Sequence, residues 1–282
     1  MAFLKAGEDH KPKLKPPPGS TDTHLHIYGP VARYPLAPTR TNDPPMATVD
    51  DYGALQKFLG IERAVVVQPS HYGKDNRCTM DAVGRLGTAR ARAVVVVDTA
   101  ASDLELERLT KEGARGIRFH MMPGGALPWD MLETMATRVR EHGWHVQLQF
   151  NGRDLPEREA LLRRLPGAMV IDHVGRYMGP VEPEHPAFKA LLGLLDTGRV
   201  WVKLSAPYES QSEPGYPGVA RLARALVAHS PGRMLWASNW PHPGQDAKSD
   251  ADMLDLLLGW APDEGTRRRI LVDNPAALYG FA

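Results

Sequence analysis

Residues 91–98, Ala-Arg-Ala-Val-Val-Val-Val-Asp, form a short run that is rich in β-branched side chains and mostly apolar on both faces. Residues 64–67, Ala-Val-Val-Val, have the same character. Strands of this kind are buried on both sides, as in a parallel sheet covered by helices. Similar runs recur along the chain, and eight of them are predicted as strands: 21–28, 63–68, 91–98, 116–120, 144–150, 168–173, 200–205 and 233–238.

Longer amphipathic stretches separate these runs and predict helices. They cover residues 49–59, 75–88, 102–112, 128–142, 155–165, 187–195, 217–228, 248–260 and 263–272. Eight β/α units predict an α/β fold, a closed (β/α)8 TIM barrel, for which 282 residues is a common length. A doubly wound open sheet is the alternative. It is disfavoured because no glycine-rich nucleotide loop follows the first strand.

The barrel is predicted to occupy residues 20–282 as a single domain. Residues 1–19 carry several lysines and Pro16-Pro17-Pro18, which predicts an extended arm that is either disordered or packed on the outside. The connection 29–48 contains five prolines. Because connections of this length are usually functional, we expect it to fold over the mouth of the barrel.

The composition indicates a cytoplasmic protein that binds a small molecule. The formal net charge is +1 and the pI is about 7.9, so neither nucleic acid nor an anionic membrane is an expected partner. No apolar run is long enough to span a bilayer, and the polar start does not resemble a signal peptide. The one cysteine, Cys78, excludes an internal disulfide.

The first strand carries the most informative polar pattern. His24 and His26 are two residues apart on a strand, so their side chains point to the same face. Two imidazoles at that spacing can hold a metal or polarise a substrate oxygen, although a hydrogen-bonded structural pair is the alternative. His173 ends the sixth strand and is either a third site histidine or a buried structural one.

Two arginines near strand ends are candidate anion-binding groups. Arg118 follows the apolar Ile117, and a guanidinium inside a barrel mouth is costly unless it meets an anion. A substrate carboxylate is one such anion, and an ion pair with Asp98 is the alternative. Arg176 is a second candidate, or else an arginine of a surface loop. Other polar residues at strand ends complete the predicted substrate site: Ser70, Gln149 and His242.

Four motifs resemble the amidohydrolase superfamily: Asp22-Thr23-His24-Leu25-His26, residues 171–176 (Ile-Asp-His-Val-Gly-Arg), residues 235–242 (Leu-Trp-Ala-Ser-Asn-Trp-Pro-His) and Asn274-Pro275. The chain is most similar to the amidohydrolase-2 type, in the branch of 2-pyrone-4,6-dicarboxylate hydrolase and D-galactarolactone isomerase. The resemblance extends from about Pro17 to Phe281.

That resemblance implies a distorted (β/α)8 barrel that acts on esters, lactones and related carbonyl groups. Many members bind one or two metals, whereas this branch works without one. In the branch, the histidines of strands one and six polarise a lactone carbonyl, and an aspartate after strand eight activates water. The matching positions here are His24, His26, His173 and Asn239.

Asn239 departs from the hydrolase pattern, because an amide cannot accept a proton as a general base. An amide also lacks the charge of a good metal ligand, and Arg118 and Gln149 stand where a binuclear site needs further ligands. We therefore expect no cofactor. A single zinc ion on His24, His26 and His173 is the alternative.

The resemblance and Asn239 together favour a sugar-acid lactone isomerase, because attack by the substrate's own hydroxyl depends least on a protein base. Three alternatives stay open. The first is a lactone hydrolase of the pyrone-dicarboxylate type that uses His173 or Asp98 as its base. The second is a non-catalytic barrel that binds sugar lactones. The third is a hydrolase in which aspartate has been replaced by asparagine at position 239.

Overall fold

The computed structural model describes residues 10–211, 213–244 and 248–282, and it confirms the predicted barrel. Eight parallel strands lie in sequential order within one sheet. They are β1 Thr21–Leu25, β2 Arg63–Val67, β3 Ala91–Val95, β4 Ala114–His120, β5 His145–Gln149, β6 Met169–Ile171, β7 Val200–Leu204 and β8 Met234–Trp236. Backbone hydrogen bonds from Asn239 N to His24 O and from His26 N to Trp240 O, both 2.8 Å, join the chain after β8 to β1.

Helices follow the strands around the outside. They are α1 Val49–Leu59, α2 Arg77–Leu86, α3 Asp103–Lys111, α4 Leu132–Arg140, α5 Leu155–Arg164, α6 Pro186–Leu195, α7 Pro217–His229, α8 Asp250–Trp260, α9 Glu264–Arg268 and α10 Asn274–Tyr279. The stretch predicted as a helix over 263–272 is helical, with α9 followed by a π-helix at Arg269–Asp273. The prediction ended there and missed α10.

Local sequence signals explain where several helices begin and end. The side chains of Ser102 and Ser249 accept hydrogen bonds from the first turns of α3 and α8. Thr48 and Asp51 form a reciprocal capping box at the start of α1. Gly60, with a φ of +77°, ends that helix in the left-handed conformation that glycine adopts without strain.

The amino-terminal chain and the long proline-rich connection both pack on the barrel. Residues 1–9 of the predicted arm lie outside the described residues. The backbone N–H groups of Lys13 and Leu14 donate to the Asp255 carboxylate of α8, and the Leu14 side chain is buried. In the connection, Ala37 N donates to His71 O, and Asn42 accepts from His71. The connection therefore covers part of the mouth, as predicted.

Among the described helices, none combines the length and the apolar character that crossing a membrane requires.

Candidate active site

A cavity of about 330 Å³ opens at the carboxyl ends of the strands, where barrel enzymes carry their active sites. It collects most of the predicted site residues: His26, Ser70, Arg118, Gln149, His173, Arg176 and Asn239. It also contains residues that were not among the predicted site residues: Tyr28, Asn42, His71, His120 and Glu209. A larger groove of about 1060 Å³ lies outside the barrel beside α2 and contains none of the predicted residues.

The two histidines of β1 face the same side, as their spacing predicts. Their Nε2 atoms are 3.3 Å apart, and the Nδ1 of His26 is 2.8 Å from the carbonyl oxygen of Val67. A carbonyl only accepts hydrogen bonds, so this Nδ1 carries a proton when the ring is neutral. His26 contacts the cavity, whereas His24 lies fully buried beneath it.

His173 comes close to His24 through an unusual backbone. Its φ is +56° and that of Val174 is +55°, in the left-handed region that side chains such as valine rarely adopt. Backbone strain of this kind clusters at functional sites. The His173 ring lies 4.9 Å, centroid to centroid, from the His24 ring, and its Nδ1 is 2.9 Å from Ser205 Oγ.

All three imidazoles are neutral at neutral pH. Burial is the largest cause and lowers the pKa of His24, His26 and His173 well below the usual value. The Lys203 ammonium adds to this effect at His24, and the Arg118 guanidinium adds to it at His26. Each ring therefore offers one N–H donor and one acceptor nitrogen.

Beneath the histidines lies a buried ionic network that the sequence did not reveal. Lys203 of β7 donates to Gln147 Oε1 at 2.7 Å, and its Nζ lies 3.4 Å from Asp172 Oδ1. Gln147 Nε2 donates to the other oxygen of Asp172 at 3.0 Å. Burial lowers the pKa of Lys203 to about 8, against the opposing effect of Asp172, so the lysine is mainly charged at pH 7.

Arg118 is held in the cavity wall without a carboxylate partner among the residues that the structure describes. It donates to the backbone carbonyl of Gln68 at 2.7 Å and to Gln149 Oε1 at 2.6 Å. Asp98, the alternative partner, pairs instead with Lys74 at 2.5 Å and does not line the cavity. The ion-pair interpretation of Arg118 is therefore wrong, and Asp98 is not placed to act as a base.

Arg176 differs from Arg118 because an acid neutralises it. Its Nε and Nη2 donate to one oxygen of Glu209 at 3.0 and 2.6 Å. Both side chains line the cavity and are mostly buried, so Arg176 is not a surface arginine. The cavity thus presents one unpaired guanidinium and one ion pair.

Asn239 follows β8 and lines the cavity with a φ of +60°, which asparagine tolerates better than most residues. Its Nδ2 donates to Tyr208 Oη at 2.9 Å. The amide oxygen Oδ1 is therefore turned away from Tyr208, and no described residue donates to it.

Of two histidines that follow strands, His242 lies behind the cavity wall and His120 lines the cavity. His242 was predicted to bind substrate, but it is buried behind the cavity wall, where Tyr208 Oη and Asp250 Oδ1 occupy its two ring nitrogens. His120 does line the cavity, with its Nδ1 3.1 Å from Gln149 Oε1. Burial lowers the pKa of His120 to about 3.

The donor atoms do not fit a metal held by the three predicted histidines. Within the described ranges, the one converging group of metal-ligand side chains is His24, Asp172 and His173, whose ligand atoms lie within 4.8 Å of one another. His26 is not part of it. The Lys203 ammonium already lies against two of the three residues and would repel a divalent cation. Asn239 also brings no charge to the site.

The barrel, the polar cavity at its carboxyl end and the buried histidines define an α/β-barrel enzyme. The chain belongs to the amidohydrolase family, whose model matches residues 21–281. This confirms the family resemblance seen in the sequence.

Two relatives are enzymes that are named for reactions of lactones. A D-galactarolactone isomerase from Agrobacterium fabrum is 36% identical over 270 residues, which cover 93% of this chain and 91% of the relative. A 4-sulfomuconolactone hydrolase from Hydrogenophaga intermedia is 39% identical over 272 residues, covering 94% and 89%. An apo crystal structure from Agrobacterium tumefaciens superposes with a TM-score of 0.91 at 36% identity, covering 96% of this chain and 99% of that one.

Proposed function

We propose that this enzyme isomerises the lactone of a sugar acid, moving the ring ester from one substrate hydroxyl to another without a metal. D-galactaro-1,5-lactone converted to the 1,4-lactone is the model reaction. The observation that carries the proposal is Asn239, which lines the cavity where the related hydrolases are expected to hold an aspartate base.

An amide at this position favours rearrangement over hydrolysis. The Oδ1 of Asn239, to which no described residue donates, can accept a hydrogen bond from a substrate hydroxyl, but it cannot remove the proton. Attack by a hydroxyl of the same molecule gains an effective molarity of about 10⁵ to 10⁸ M, an advantage that water lacks. The loss of a strong base therefore slows hydrolysis far more than internal transfer.

The charges around the cavity suit a substrate with one carboxylate. Among the described residues of the cavity, Arg118 is the guanidinium without an acidic partner. Two parallel hydrogen bonds to a carboxylate are the preferred interaction of such a group. Arg176 is balanced by Glu209. We assign the substrate hydroxyls to the remaining polar groups of the wall: Ser70, Gln149 and Asn239.

Proton transfer during ring opening and closure is assigned to neutral imidazoles. His26 and His173 line the cavity on the side of the β1 and β6 ends and are uncharged. Groups of this kind contribute typically about 10²- to 10⁴-fold when they transfer a proton in the transition state.

Incubation of the enzyme with D-galactaro-1,5-lactone, followed by NMR, tests the proposal. We expect the 1,4-lactone to accumulate before any open-chain acid. Rapid formation of open-chain acid without the 1,4-lactone would reject isomerisation, and binding without turnover would favour a non-catalytic barrel. The Asn239→Asp variant should gain hydrolysis, whereas Asn42→Asp, which adds the same charge elsewhere in the cavity, should not.

Lactone hydrolysis is the second candidate, and the His120 ring supports it. Because Gln149 Oε1 already accepts from Arg118, the Nδ1 of His120 donates to that oxygen and leaves Nε2 as an acceptor. This nitrogen could activate water. A pKa of about 3 makes it a weak base for water. Isomerisation is preferred because attack by the substrate's own hydroxyl depends less on a protein base.

A further inference from the structure

Lys203 is a fully buried lysine inside the barrel, directly beneath the histidines of the cavity. Its Nζ lies 2.7 Å from Gln147 Oε1, 3.2 Å from His24 Nδ1 and 3.4 Å from Asp172 Oδ1. An ammonium has three protons and here faces three acceptors. Burying a charge is costly, so the position of this lysine calls for a role beyond filling space.

The contacts of Lys203 determine which nitrogen of His24 carries the proton. His24 Nδ1 has two donors as neighbours, the Lys203 ammonium at 3.2 Å and the amide nitrogen of Gln147 at 3.4 Å, and one acceptor, Asp172 Oδ1 at 3.4 Å. The ammonium only donates and is the nearest of the three. These contacts favour Nδ1 as an acceptor, which places the proton of neutral His24 on Nε2, 3.3 Å from His26 Nε2.

The contacts of His26 require the same tautomer of His24. His26 donates its Nδ1 proton to the carbonyl of Val67 at 2.8 Å, so its Nε2 is an acceptor. That nitrogen can receive the Nε2 proton of His24. The donors thus run in one direction, from Lys203 to His24, from His24 to His26, and from His26 to the backbone.

Asp172 provides the opposite charge. Although burial alone would raise its pKa, Lys203, His173 and Arg118 hold the pKa of Asp172 below the usual value. Its Oδ1 has no hydrogen-bond partner in the described part of the chain and lies 3.4 Å from both Lys203 Nζ and His24 Nδ1. The carboxylate therefore balances the charge of the Lys203 ammonium and has no proton to give to the His24 ring.

We propose that Lys203 is a positioning residue, a cation built into the chain that fixes the tautomer of His24 where a metal would otherwise orient this ring. It keeps the ring proton of His24 on the side of His26 and leaves His26 Nε2 as an acceptor, the form in which that ring can take up a substrate proton. The proposal rests on the proposed function only in that these histidines act on the substrate, and it holds for isomerisation and hydrolysis alike.

The test compares Lys203→Met with Lys74→Met, which removes an outer lysine that is also paired with an aspartate. For the sugar lactone, Lys203→Met should lower kcat about 10- to 100-fold, as the loss of an orienting partner does elsewhere, with little change in KM. Lys74→Met should change neither. If Asp172 without its partner prevents folding, the Asp172→Asn/Lys203→Met double variant removes both charges and is expected to show the same loss of kcat.

A spectroscopic measurement separates this proposal from the proposed function. ¹⁵N NMR of the histidine rings in the whole protein should show His24 protonated on Nε2 and His26 on Nδ1, and the His24 signals should move towards a tautomer mixture in Lys203→Met. This result is expected even if no sugar lactone is turned over. A wild-type His24 protonated on Nδ1 would overturn the proposal. Ring signals and kcat that stay unchanged in both the single and the double variant would also overturn it.

Discussion

The amide nitrogen of Asn239 donates a hydrogen bond to the Tyr208 hydroxyl at 2.9 Å, and this contact fixes the orientation of the amide. Tyr208 in turn donates to His242 Nδ1 at 2.6 Å, because the other ring nitrogen of His242 donates to Asp250 at 3.1 Å. The hydroxyl is thus committed as a donor to His242 and can only accept from Asn239. The oxygen of the amide, rather than its nitrogen, is left for the substrate.

The first prediction concerns Tyr208→Phe, which removes that hydroxyl. The amide of Asn239 is then free to rotate and present either atom to the substrate, so we expect kcat to fall by about tenfold, the worth of one buried hydrogen bond. Steady-state kinetics on the sugar lactone measure this. Tyr216→Phe removes a hydroxyl nearby that does not contact Asn239 and should leave kcat unchanged. Equal rates for both variants would show that Tyr208 does not orient the amide.

The barrel itself was predictable because its signals are local and repeated. Residues 64–67 and 93–97 are apolar on both faces, and only a strand covered on both sides buries such a run. The alternation at His24 and His26 likewise places both imidazoles on one face from spacing alone. The end of the chain was predicted less well, because the prediction ended the last helix before Asn274-Pro275, whereas Pro275 lies in the first turn of α10, where a proline is tolerated.

The details of the site were not predictable, because they depend on pairs that are far apart in the sequence. Lys203 and His24 are 179 residues apart, and Arg176 and Glu209 are 33 apart. Lys203 lies within the predicted strand 200–205, but strand position does not indicate which acceptors its side chain meets. His242 has the same sequence signal as a cavity residue, and only its contacts to Tyr208 and Asp250 place it behind the wall.

The second prediction is that Glu209 limits the number of anionic groups that the cavity accepts. Glu209→Gln removes the acid that balances Arg176, whose Nη1 is buried without a hydrogen-bond partner in the described chain. In the wild type, a second anion on the substrate meets the Glu209 carboxylate, and such a repulsion between like charges costs several kcal/mol in closely packed sites. In the variant, the same anion would meet an unpaired guanidinium. We expect kcat/KM for a doubly charged lactone such as 4-sulfomuconolactone to rise by about tenfold or more relative to a singly charged one.

Competition assays with both lactones measure this ratio, and Glu213→Gln, an exposed acid on the same connection, is the control. A ratio that is unchanged in Glu209→Gln would place the second anion elsewhere. A large fall in Tm would show instead that the ion pair mainly stabilises the fold.

The third prediction concerns Arg118→Lys, which keeps the charge and removes the planar fork. A lysine cannot hold Gln68 O, Gln149 Oε1 and a substrate carboxylate together, so KM should rise about 10- to 100-fold, the range for hydrogen bonds to charged groups. The methyl ester of the same lactone lacks the carboxylate charge and serves as the control ligand. If Arg118→Lys impairs the acid and the ester equally, Arg118 acts on another part of the substrate.

The last prediction concerns stability in acid and rests on His145 at the start of β5. Its ring packs edge-on against Tyr279 of α10 with centroids 5.2 Å apart, and neither ring nitrogen has a hydrogen-bond partner within the described residues. Burial, together with the nearby charge of Lys203, lowers the pKa of His145 to about 3, against an ordinary value of 6.5. Below pH 6.5 the unfolded chain binds a proton at this residue and the folded chain does not, so the folded state loses stability as the pH falls.

This loss amounts to about 2 kcal/mol at pH 5 for one such histidine. His145→Phe keeps an aromatic ring against Tyr279 and removes the titrating group. Denaturant unfolding measures the free energy of unfolding at pH 7.5 and pH 5. The decrease between the two pH values should be smaller for this variant than for the wild type, even if the change in packing shifts the free energy at both pH values. The control is His142→Phe, which removes a half-buried histidine without an ion pair among the described residues and should keep the wild-type difference between the two pH values. If His145→Phe also keeps it, the buried ring of His145 is protonated as readily in the folded chain as in the unfolded one.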